Sequence, residues 1–171
     1  MPLLYKNGAF VEDDWLTLAA DAALPADRKA IIPLTRWRAD RLALAGRNGA
    51  LGVSIPPGSA IDDLVEDLGP ISLIALVFPK YTDGRVYSTA HQLRTRHSFA
   101  GELRATGDVL LDQLQLMRRC GFDSFEISHG PTIEALRKGH VAGVSHFYQP
   151  SLDANEVPAG TRPWLRSGAR A

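Results

Sequence analysis

Short apolar runs alternate with amphipathic stretches along most of the chain. Runs at 30–33, 50–55, 71–78, 102–105, 124–128 and 144–148 predict β-strands, and the stretches at 36–45, 61–68, 86–97, 109–120 and 132–138 predict helices between them. The most apolar run, Ile71-Ser-Leu-Ile-Ala-Leu-Val-Phe78, reads as a central strand buried on both faces. Regular βα alternation predicts an α/β fold with a mostly parallel sheet, flanking helices and right-handed crossovers; six strands favour an open sheet over a partial barrel. Ahead of it, Asn7-Gly8 between two short β-compatible runs predicts an N-terminal hairpin within residues 1–15.

The helix at 109–120 has the clearest stripe, with Leu110, Leu114 and Met117 at i, i+4 and i+7, Asp108 as an N-cap, and Arg118 and Arg119 complementing the dipole. Gly46, Gly69, Gly121 and Gly139 stand where helix ends want them. From Gln149 to Ala171 no apolar period remains, so residues 1–148 form one domain and 149–171 an extended arm that Trp164 and Leu165 could anchor on a partner or a second copy.

Composition narrows the function classes. Formal net charge is zero, which removes the basic footprint of a nucleic-acid binder and weakens the case for an anionic membrane surface. No apolar run reaches the roughly 18 residues of a spanning helix, the start lacks a signal core, and Cys120 is the lone cysteine, so a cytoplasmic protein without disulfides is expected. Residues 80–119 are locally positive, which suits a small anionic ligand; the alternative for each arginine is a solvated helix face.

In such folds ligands meet the loops after the strands. There Lys80, Arg85 and the backbone at Gly107 are candidates for binding a phosphate, sulfate or carboxylate, Ser88 lies on the same rim, and Tyr81 and Tyr87 either present hydroxyls to a ligand or pack with a polar tip. Asp83 and Asp108 are the candidate acid/base pair, although Asp83-Gly84 also reads as a turn and Asp108 as a cap. The five histidines have no ligand-like spacing, so no metal site is expected, and Cys120 reads as a structural thiol. The phosphate loop, the dinucleotide glycine pattern and the nucleophile elbow are all absent, so no cofactor is indicated.

Phe78-Pro-Lys-Tyr-Thr-Asp-Gly-Arg-Val-Tyr-Ser88, Gly101-Glu-Leu-Arg-Ala-Thr-Gly-Asp108 and Asp112-Gln-Leu-Gln-Leu-Met-Arg-Arg-Cys-Gly-Phe-Asp123 together resemble the bacterial domain-of-unknown-function family 934. Asp13-Asp14-Trp15 and Phe147-Tyr-Gln-Pro150 are also similar to members of that family. The resemblance implies an accessory role in assimilatory sulfate and sulfite reduction, because such genes lie beside those of sulfite reductase and phosphoadenylyl-sulfate reductase, and it brings an oxidoreductase label. The partners it implies are the sulfite reductase haemoprotein or phosphoadenylyl-sulfate reductase; the local positive charge adds a small oxyanion, and the C-terminal arm a second copy in a homodimer. It would place Lys80, Asp83, Gly84, Arg85, Tyr87, Ser88, Arg104, Gly107, Asp108, Asp112 and Gln113 in the functional patch. A different class stays open: an enzyme acting on a phosphorylated or sulfonated substrate at the same rim.

Overall fold

The computed structural model describes residues 2–44 and 47–140. The strand expected at 144–148, the arm at 149–171 and Gly46 lie outside the described residues. Strands β1 (Leu3–Lys6) and β2 (Ala9–Val11) form the expected hairpin, with Lys6 opposite Ala9 and both turn residues at positive φ, Asn7 at 52° and Gly8 at 83°. That is the twist a two-residue hairpin turn needs.

The parallel strands then follow in chain order: β3 (Leu16–Thr17), β4 (Ala30–Pro33), β5 (Leu51–Ile55), β6 (Ile71–Phe78), β7 (Glu102–Gly107) and β8 (Ser124–Ile127). β1 adds antiparallel to β8, which makes one eight-stranded sheet in the order β2-β1-β8-β7-β6-β5-β4-β3. Because the parallel order never reverses, right-handed crossovers put every helix on the same side of the sheet. These are α1 (Leu34–Leu44), α2 (Asp62–Val65), α3 (Arg85–Thr95), α4 (Leu114–Arg119) and α5 (Gly130–Arg137).

The sheet is open and curled into a half-barrel, and chain length requires the curl. Val11 on one edge and Leu16 on the other are five residues apart, so at most about 18 Å of chain joins them. Seven flat inter-strand gaps would span about 34 Å. The connection is thus a strap across the concave face. Trp15 packs there with Ile31, Leu73 and Ala75, and a Cβ at Gly52 would lie 3.2 Å from the Trp15 ring.

On the convex face Val53, Ile55, Ile74, Leu76, Leu103, Ala105, Phe125 and Ile127 join Trp37, Leu64, Val86, Ala90, Leu93, Leu114 and Met117 of the helices in one core. Truncating one of these large side chains would cost about 2–5 kcal/mol. Among the described residues no helix is long and apolar enough to cross a membrane.

Three elements differ from the sequence reading. β3, only two residues long, is too short to show a period. The helix read at 61–68 is only Asp62–Val65, so Gly69 does not cap it. The helix read at 109–120 begins with a 3₁₀ turn, Leu111–Gln113, and becomes α4 only at Leu114. Asp108 does not cap it, because its carboxylate accepts the Tyr81 N–H at 2.9 Å and its own N–H donates to Phe78 O at 2.8 Å.

Candidate functional site

The loops after β5, β6 and β7 meet at the C-terminal rim of the half-barrel. With no reversal of strand order, the location follows the rule for barrels, whose sites lie at that end, rather than the switch-point rule for open sheets. β6 ends at Phe78, and the turn that follows is closed by Asp83 N–H donating to Lys80 O at 3.0 Å. The loop after β7 clamps this turn at both backbone polar groups of one residue, since Asp108 accepts from Tyr81 N–H while Gln113 Nε2 donates to Tyr81 O at 2.5 Å.

Gly107 makes the clamp possible. Its φ is +93°, and a Cβ there would fall 2.3 Å from Phe78 O. Only a residue without a side chain lets the ends of β6 and β7 approach this closely.

Asp83 folds back on Arg85, accepting from Nε at 2.9 Å and from Nη2 at 2.6 Å. The Arg85 guanidinium beside Asp83 holds its carboxyl below the usual carboxylate range, so it is ionised at neutral pH. The other edge of the guanidinium rests on the loop after β5, with Nη1 only 3.0 Å from the Cβ position of Gly58. The Arg85 side chain is still 65% exposed. Lys80 is exposed and has no ion-pair partner among the described residues.

The remaining predicted residues go elsewhere. Tyr87 and Ser88 turn onto the flank of α3, into an open groove of about 420 Å³ that Cys120 also lines. Tyr87 meets Phe78 edge-on at 5.3 Å, and burial, with Cys120 and Asp112 nearby, pushes its hydroxyl up to about 12. Burial also raises the Cys120 thiol, against the pull of Arg119, so it is not a ready nucleophile.

Arg104 is the clearest relocation. It sits inside β7 on the concave face, 1% exposed, away from the rim. Its Nη1 donates to Asp13 Oδ2 of the strap at 2.7 Å, and its Nε and Nη2 donate to Glu102 Oε1 at 3.1 and 3.0 Å. Glu102 also accepts from Lys6 Nζ at 2.5 Å and from Ser124 Oγ at 2.6 Å. Sequence reasoning missed this cluster as a unit, although the alternation Glu102-Leu-Arg-Ala-Thr106 puts three polar side chains on one face of β7. His129, at the N-terminus of α5, has its Nδ1 2.9 Å from Thr132 Oγ1. Among the described residues no group of three or more His, Cys, Asp or Glu could hold a metal.

Residues 52–158, more than half of the chain, match the family described as a bacterial protein of unknown function, DUF934. No curated protein and no solved structure matches the chain.

Proposed function

This chain belongs to the bacterial family DUF934, and from that membership and the rim's geometry we propose that it is an accessory protein of assimilatory sulfate and sulfite reduction that binds a small oxyanion at Lys80 and Arg85. The carrying observation is a pair of exposed cations beside the start of α3, where Gly84 supplies no side-chain cap. The first N–H groups of this 11-residue helix lack intrahelical acceptors and favour negative charge, and that of Arg85 already donates to Asp83 Oδ1 at 3.3 Å, so a carboxylate occupies part of the position. Asp83 already seats a carboxylate on Arg85, and an incoming oxyanion would compete with it, with Lys80 as the second cation.

Both carboxylates of the candidate acid/base pair have structural partners: Asp83 within its own turn, and Asp108 across to the loop after β6. Asp83 stays ionised against Arg85, and Asp108 accepts the Tyr81 N–H. Both carboxylates are thus engaged by protein groups, Asp83 by Arg85 and Asp108 by Tyr81, and this favours a binding accessory over the enzyme alternative.

The test is growth of a strain lacking the gene on sulfate and on cysteine, complemented with the wild type or with folded Lys80→Ala and Arg85→Ala proteins. Failure on sulfate alone, rescued only by the wild type, is the expected result. Normal growth on sulfate without the gene would overturn the proposal.

A further inference from the structure

The ion cluster on the concave face does not balance. Its cations are Lys6 and Arg104, and its carboxylates are Asp13, Glu102 and Glu126. Lys6 pairs with Glu102, and Arg104 pairs with Glu102 and Asp13, which leaves one negative charge over. That charge is Glu126. Phe125 and Ile127 on either side of it belong to the convex core, so its side chain faces the concave side. Its cross-strand neighbour on β1 is the apolar Leu4, and Thr106 of β7 stands level with it, because Ala105 pairs with Phe125. Among the described residues the side chain of Glu126 has no hydrogen bond or ion pair. Burial raises its carboxyl, and Arg104 offsets this only in part. A carboxylate so placed carries a desolvation cost that no donor of the fold repays.

We infer that the upper concave face binds a small organic cation, whose ammonium group donates to Glu126 and Thr106 while its carbon chain lies on Val77. Position and charge carry the inference. Ala75 and Arg104 lie under Trp15 and Asp13 of the strap. Val77, Thr106 and Glu126 form the next row, two residues or about 6.6 Å nearer the C-terminal ends of the strands. All three are only partly buried, and in barrels ligands enter at that end. An ammonium has three donors and no acceptor, which suits a carboxylate beside a hydroxyl oxygen and cancels the charge left over. An oxyanion would meet an uncompensated carboxylate there, so the site is opposite in sign to Lys80 and Arg85. A metal ion would need further ligands, and no group of three occurs among the described residues.

The site goes beyond the rim reading and stands or falls separately. The full ¹⁵N-labelled chain would be titrated by NMR with n-propylammonium chloride, with 1-propanol, and with sodium sulfate at equal ionic strength. The expected result is saturable shifts at Val77, Thr106 and Glu126 with propylammonium and none there with propanol or sulfate. Glu126→Gln keeps the shape of the side chain and removes its charge, and it should weaken propylammonium binding about tenfold, as for one charge-assisted hydrogen bond. Lowering the pH should weaken binding in the wild type as the carboxyl takes up its proton, and leave the Gln variant's residual binding unchanged. Absence of saturable shifts, an equal response to propanol, or undiminished binding in Glu126→Gln would overturn the inference. Sulfate shifts at Thr106 and Glu126 would overturn the sign assigned to the site.

Discussion

The two faces of the sheet are built from alternate residues of the same strands, yet they are held in opposite ways. The convex face is aliphatic and aromatic and lies under the helices. On the concave face a small apolar patch around Trp15 adjoins the ion cluster of Lys6, Glu102, Arg104, Ser124 and Asp13, both beneath a strap. The contrast also separates two arginine–carboxylate pairs. Arg104, 1% exposed, is fixed by two carboxylates, whereas Arg85, 65% exposed, meets one across a surface turn. Burial decides the role: a buried cation cannot exchange its partners for a ligand without releasing the strap, and an exposed one can.

The largest expected effect tests that division. Arg104→Ala removes the buried cation that joins Asp13 of the strap to Glu102, leaving Glu102 only Lys6 and Ser124, at a cost of about 3 kcal/mol in urea unfolding. Arg85→Ala should leave the midpoint unchanged. If the first variant yields no folded protein, Arg104→Lys, which keeps charge but loses the forked geometry, should fall between them. Equal stabilities for Arg104→Ala and Arg85→Ala would break the comparison.

A smaller effect belongs to the rim. Gly107→Ala must adopt φ near +93° and relieve a 2.3 Å approach to Phe78 O, for a cost of about 2 kcal/mol. Gly84→Ala, with φ −75° and open space around it, should cost about 0.5 kcal/mol. Hydrogen exchange at Tyr81 N–H should quicken in the first variant, because the carboxylate that accepts it moves with residue 107. Unchanged exchange there would mean that the clamp does not depend on this close approach.

How far the fold could be read from sequence follows from the range of each interaction. The hairpin was legible because Asn7-Gly8 sets its own backbone, and the strands Ala30–Pro33 and Ile71–Phe78 because burial of their faces shows as apolar runs. The start of α4 was not, because the carboxylate expected to cap it binds the neighbouring loop. Lys80, Asp83, Arg85, Gly107 and Asp108 were placed together by the rule that strand ends gather in space. Tyr87 and Ser88 left that group because a helix turns about 100° per residue. Arg104 was misplaced because its environment is completed by Asp13, 91 residues away in the chain, and no local pattern reports a strap arriving over a face.

The smallest effect concerns two glutamates of the concave face that shift in opposite directions. Burial pushes the Glu102 carboxyl up, but Lys6, Ser124 and Arg104 overcome it and hold it below the ordinary glutamate range. Burial also pushes Glu126 up, Asp13 adds to this, and Arg104 only partly offsets it. By linkage, the stability Glu102 contributes is fully present above the ordinary glutamate pKa and is lost as pH falls through its lowered folded value. Glu126 works in reverse, since the fold disfavours its charged form and the penalty grows as pH rises from the ordinary value through the raised one. Glu126→Gln should therefore raise the melting temperature at pH 7, with the gain disappearing in acid where the wild-type carboxyl is protonated. A loss of stability at pH 7 would show that a cation pairs with Glu126, and the concave face would then be compensated throughout, like the surface turn at Arg85.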